Sequence, residues 1–99
     1  MITCCIRYTL DSHKLAEFEE YARRWPPIIK HCGGDLVGYF LPKEGASNWA
    51  LALINFESLE SYATYRKRLL EDEGARANVA YAAETKCILV EDRTFLRPA

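Results

Sequence analysis

Arg7, His31, Tyr39 and Arg66 are the residues of this sequence whose types and settings could do chemistry. Arg7 lies in Ile2–Thr9, where Ile2, Cys4, Ile6 and Tyr8 alternate with Thr3, Cys5, Arg7 and Thr9. Successive strand residues point to opposite faces, so Arg7 sits on the polar one. Facing a cleft, its guanidinium could hold a carboxylate or an enolate-like anion through two parallel N–H bonds. An ion pair with an acid such as Glu91 is the competing reading.

His31 closes a helical stretch, where the dipole favours a cation and the ring can lose its proton near neutral pH. There it could serve as acid or base, or simply cap the helix in solvent. Tyr39 is the second catalytic candidate, assisting proton abstraction. With Tyr8, Trp25 and Trp49 it could also line an apolar pocket with polar tips, although aromatic residues at this spacing equally build a core. Arg66 stands between Tyr62 and Leu69-Leu70, in a phase where its helix expects an apolar side chain. It either snorkels, reaches an acid at a subunit seam, or contacts a ligand. The candidate ligand-binding set is therefore Arg7, Tyr8, Tyr39, Trp49 and Arg66.

Other chemistries lack their parts. No Gly-rich phosphate loop, Ser-His-Asp set or paired carboxylate motif is recognisable. His13 and His31 form no H-x-x-x-H, and Cys4, Cys5, Cys32 and Cys87 form no C-x-x-C. Adjacent Cys4 and Cys5 must point apart, so they cannot share a metal. No metal site and no cofactor is expected. The cysteines read as small buried hydrophobes, since a reactive thiolate at Cys5 or Cys32 would need a neighbouring cation. With 13 basic and 14 acidic residues interspersed, the chain offers no electrostatic footprint for nucleic acid or an anionic membrane. Met1 leads directly into Ile2-Thr3-Cys4 without a secretory-type start, and no apolar run reaches transmembrane length. The expectation is a cytoplasmic protein.

The elements that must position these residues can be read in order. The first strand is Ile2–Thr9, and Asp11-Ser12 is expected to cap the helix that follows. In that helix Leu15, Phe18, Ala22, Trp25, Ile29 and Cys32 make one apolar stripe, with Glu19–Arg23 and Glu20–Arg24 paired on the wet side. Pro26-Pro27 predicts a kink or a break with a restart. Gly33-Gly34 ends the helix through a left-handed cap. A second strand covers Leu36–Leu41, a loop Pro42–Ser47, and a third strand Asn48–Phe56. Ser58 caps a second helix whose inner side is expected to carry Leu59, Tyr62, Ala63, Leu69 and Leu70. Glu71-Asp72-Glu73-Gly74 breaks it, and a short helix occupies Ala75–Ala83. The fourth strand is Thr85–Val90, with Asp92–Leu96 extending it or forming a tail beyond a bulge.

The order β-α-β-β-α-β predicts an α+β, ferredoxin-like single domain over residues 1–99, a four-stranded antiparallel sheet with its helices on one face. An antiparallel sheet with a wet face should alternate, and only the first strand does so cleanly. The other strands carry apolar residues on both sides, which predicts a homodimer paired through the uncovered sheet faces.

The chain resembles the NIPSNAP family of the dimeric α+β barrel superfamily. The likeness is carried by Ile6–Leu10, Lys14–Phe18, Gly34–Phe40, Asn48–Leu59, Arg66–Leu69 and Phe95–Pro98, in that order along the chain. It implies a homodimer whose sheets pack into an α+β barrel, with a cleft between each sheet and its helices or partner. It implies little about chemistry, although the wider superfamily includes cofactor-free monooxygenases and haem-degrading enzymes. Fold alone does not carry function. Three readings follow: a binding protein for a small apolar or aromatic ligand, a cofactor-independent monooxygenase-like enzyme using His31 or Tyr39 with Arg7, and a structural or adaptor module without a ligand. An open cleft lined by Arg7, Tyr8 and Tyr39 favours the first two, and a filled one the third.

Overall fold

A computed structural model describes all 99 residues. The elements run β1 (Ile2–Leu10), α1 (Leu15–Cys32), β2 (Asp35–Phe40), β3 (Trp49–Phe56), α2 (Leu59–Glu71), α3 (Glu73–Thr85) and β4 (Ile88–Leu96). The four strands form one antiparallel sheet in the order β2-β3-β1-β4, the ferredoxin-like arrangement. No helix is long and apolar enough to cross a membrane.

Strand alternation decides which residues meet the helices. Cys4, Ile6, Tyr8 and Leu10 of β1 are buried, as are Ala50, Ala52, Ile54 and Phe56 of β3. The register pairs them, Ile6 with Ala52 and Tyr8 with Ala50, so large side chains face small ones and leave room for a helix layer. α1 fills that room with Phe18, Tyr21, Ala22, Trp25, Ile29 and Cys32. On its wet side Arg23 meets Glu19 at 2.7 Å and Arg24 meets Glu20 at 2.7 Å.

Several boundaries differ from the sequence reading. α1 runs unbroken through Pro26 and Pro27. Both prolines are exposed, so water can satisfy the carbonyls left without helical donors, while the buried stripe runs on through Trp25, Ile29 and Cys32. Asp11 and Ser12 do not cap α1. Asp11 instead closes a turn by accepting from the His13 N–H at 2.9 Å, and the helix starts beyond Lys14 with no side-chain cap. Lys14 has another task, its Nζ donating at 2.6 Å to the carbonyl of Thr85 at the end of α3, where a cation suits the helix dipole. Ser58 does cap α2, accepting from the Ser61 N–H at 3.1 Å.

The inner face of α2 carries Tyr62 and Leu69 as expected, together with Tyr65, whereas Leu59, Ala63 and Leu70 are exposed. The break after α2 is one residue wide. Asp72 ends α2 and caps α3, its carboxylate accepting from the Ala75 N–H at 2.9 Å. α3 reaches Thr85, which therefore belongs to the helix, and β4 is one continuous strand beyond it, with the ladder slipping opposite Thr9 and Leu10.

The two glycines after α1 serve different ends. Gly33 takes the left-handed conformation, with φ of 102°. Gly34 is there for space, since a Cβ would lie 2.7 Å from Ile29 Cγ2 and 3.1 Å from Ile54 Cγ2. Gly34→Ala should therefore cost about 1–3 kcal/mol of stability by overpacking. Gly38→Ala, where a Cβ first meets the Phe40 ring at 3.4 Å, should change stability by no more than about 0.5 kcal/mol. Equal chemical-denaturation midpoints for the two variants would contradict this account.

Candidate functional site

α1 and α2 rest on the sheet differently, and the difference opens a cavity. Phe18 and Tyr21 of α1 press against Tyr8, with ring centroids 5.1 and 6.3 Å from it. α2 is carried by Tyr62 and Tyr65, whose rings stand edge-on and tilted against Phe56 at 5.3 and 4.9 Å. Between these supports lies a cavity of about 460 Å³. Its floor is Cys4, Ile6 and Tyr8 of β1, with Ile54, Tyr39 and the inward residues Ile88, Glu91 and Arg93 of β4. Tyr21 and Trp25 form one wall, Tyr62, Tyr65, Arg66 and Leu69 the roof, and Ala75, Arg76, Val79 and Ala82 of α3 the remaining side. The volume falls in the range that holds a small organic ligand, and the lining is mainly apolar and aromatic with a few polar groups.

Those polar groups are organised. The hydroxyls of Tyr8 and Tyr39 share a 3.3 Å hydrogen bond. Arg93 donates to the Tyr62 hydroxyl at 2.6 Å and to Glu91 at 2.9 Å. The Trp25 indole N–H is buried and closes no hydrogen bond with the protein. Burial pushes the Tyr21 phenol up to about 12, with the nearby Trp25 indole acting against it. Burial also raises the Tyr8, Tyr39 and Tyr65 phenols above the ordinary value. Tyr39 therefore keeps its proton at neutral pH, within the bond it shares with Tyr8. Burial also lifts the Cys4 thiol, the Arg93 charge opposing it only in part, so the cavity floor holds no thiolate. No three His, Cys, Asp or Glu side chains cluster closely enough to hold a metal ion.

The sequence candidates separate into two groups. Tyr8, Tyr39 and Arg66 line the cavity. Arg7 and Trp49 do not: they lie on the opposite face of the sheet, where the Arg7 guanidinium stacks over the Trp49 ring at 4.7 Å. The grouping of Arg7 with Tyr8 in one cleft is corrected by strand geometry, since consecutive residues cannot share a face. Arg7 stands opposite Asp92, whereas Glu91 points into the cavity beside Tyr8 and pairs with Arg93. His31 is exposed in the last turn of α1 and outside the cavity. An oxygenase-type mechanism using His31 as base and Arg7 as anion holder thus has neither group at the cavity. Cys32 is buried with its thiol raised by burial, which excludes the reactive thiolate considered for it.

A family model for NIPSNAP matches residues 4–99. The chain belongs to the NIPSNAP family. A protein from Agrobacterium tumefaciens, described as a NIPSNAP family protein with unknown function, superposes with a TM-score of 0.87 at 25% identity, covering 100% of this chain and 94% of that one. An uncharacterised NIPSNAP domain protein from Burkholderia xenovorans gives 0.84 at 21% identity, covering 100% and 95%. A candidate antibiotic biosynthesis monooxygenase from Nitrosomonas europaea gives 0.71 at 12% identity, covering 99% and 98%, which is likeness of fold alone. No curated protein matches the chain. The NIPSNAP relatives are of unknown function, so the site must be read from its own residues.

Sequence reasoning missed Arg93, Arg76, Tyr21, Tyr62 and Tyr65 as cavity residues of this NIPSNAP protein. The spacing Tyr62, Tyr65, Leu69 was the available signal for the α2 face, and the alternation Glu91, Arg93, Phe95 for β4. The buried phenols yield a test. An unfolded tyrosine ionises near pH 10, at about the ordinary value. Below that pH both states keep these protons and stability does not change on their account. Above it the unfolded chain releases protons that folded Tyr8, Tyr21, Tyr39 and Tyr65 retain, so stability falls by about 1.4 kcal/mol per pH unit for each. In an alkaline titration their phenolate absorbance should therefore appear together with loss of the circular dichroism signal. Ionisation of all four with the fold intact would contradict their burial.

Proposed function

We propose that this protein is a homodimeric, cytoplasmic NIPSNAP-like binding protein that holds a small apolar or aromatic molecule between its helix layer and its sheet. The observation that carries the reading is the open cavity of about 460 Å³ lined by tyrosine rings and Trp25. An open pocket of this size, walled by apolar and aromatic side chains with a few polar groups, has the form of a small-molecule site. The four free cysteines support a reducing compartment.

The homodimer is supported by the other side of the sheet. Phe40, Trp49, Val90 and Leu96 are exposed there beside half-buried Leu51 and Leu53. A stable interface takes about 800 Å² from each partner. The molecule measures 37 × 35 × 19 Å, so its broad face can supply that area. Light scattering at micromolar concentration should show twice the chain mass, and Leu51→Arg, which buries a charge at the seam, should shift it to the monomer. A monomeric native protein would remove the homodimer.

For the ligand, native mass spectrometry of gently purified protein should show a small-molecule mass increment. Ala82→Phe, which places a ring inside the cavity, should abolish it. An increment that persists in Ala82→Phe would place the ligand elsewhere.

A further inference from the structure

The charges around the cavity do not balance. Arg66, Arg76 and Arg93 all line it, against one carboxylate, Glu91. Glu91 is taken by Arg93 at 2.9 Å. Arg66 and Arg76 make no ion pair and no side-chain hydrogen bond within the protein, in a chain whose net charge is −1. Arg66 follows Tyr65 on the helix that roofs the cavity, and its charge acts, after that of Arg93, against the burial that raises the Tyr65 phenol and the Cys4 thiol. The uncharged polar groups lean the same way. One hydroxyl of the Tyr8–Tyr39 pair donates to the other, which leaves one proton of the pair and that of Tyr65 to donate, and the Trp25 indole N–H is buried without a hydrogen-bond partner. A cavity rich in donors, with its single carboxylate already engaged, calls for a ligand rich in acceptors.

We propose that the ligand is an aromatic acid, its ring system lying among Tyr8, Tyr39 and Trp25 and its anionic group bound by the guanidiniums of Arg66 and Arg76. This rests on the reading of the cavity as a ligand site. Aromatic walls offer ring faces and edges to a planar molecule. Paired guanidiniums bind a carboxylate or sulfonate through charge-assisted hydrogen bonds, which are shorter and stronger than neutral ones.

The test uses two fluorescent probes of the same ring system on the purified full-length protein: 1-anilinonaphthalene-8-sulfonate and its uncharged counterpart N-phenyl-1-naphthylamine. The sulfonate should bind tighter by about tenfold or more, the scale of charge-assisted hydrogen bonds. Arg66→Gln combined with Arg76→Gln should bring it down to the affinity of the neutral probe and leave the neutral probe unchanged. Arg66→Lys with Arg76→Lys should retain part of the preference, because the charge remains without the planar fork. Both positions are exposed, and circular dichroism checks that the variants fold. If both probes bind equally and the Gln variant alters neither, the acid preference is overturned while the cavity reading stands. If the neutral probe does not bind, or binds Ala82→Phe as well as the native protein, the cavity reading fails and takes this inference with it.

Discussion

The helix layer is propped on aromatic rings, and the rest of the structure depends on that contact. Tyr8 on the central strand meets Phe18 and Tyr21 of α1, while Phe56 on the neighbouring strand meets Tyr62 and Tyr65 of α2. Rigid rings have few rotamers and cannot flow into the gaps between them as aliphatic chains do. Two such supports, each well packed in itself, hold the layer at a fixed height and leave the space between them unfilled. The apolar core and the ligand cavity are therefore two results of the same set of side chains. Small residues complete the design: Ala50 and Ala52 on β3 and Gly34 after α1 let the rings and Ile29 seat against the backbone.

Much of the architecture was legible from residue spacing. The alternation of β1, the stripe of α1, the caps at Gly33 and Ser58 and the ion pairs of Glu19 and Glu20 each depend on residues close in sequence, where a local rule decides. Failures came where a distant contact outweighed the local rule. Pro26-Pro27 reads as a kink or a break, yet with Trp25, Ile29 and Cys32 buried on the core side the helix continues across it without a break. Leu59 and Leu70 read as core because they are apolar, yet the tyrosine supports fix the rotation of α2, leaving Leu59 exposed and Leu70 at the cavity's exposed rim. Arg93 was missed although it alternates with Glu91 and Phe95, because a charged residue at an inward strand position runs against the rule that inward residues are apolar.

Family membership and site chemistry act at different levels here. Membership of the NIPSNAP family accounts for the ferredoxin-like scaffold, and the likeness to a candidate monooxygenase at 12% identity adds nothing beyond it. The cavity is more informative. Burial raises its phenols and its floor thiol above their ordinary values, and its carboxylate is paired with Arg93.

The alternation of β1 has a consequence for how such a protein can change over evolutionary time. Odd positions such as Arg7 build the uncovered sheet face and even positions such as Tyr8 build the cavity, so each codon along the strand belongs to one surface only. A substitution can retune one surface while the backbone insulates the other. The cavity lining and the uncovered sheet face can thus drift separately within a single nine-residue strand.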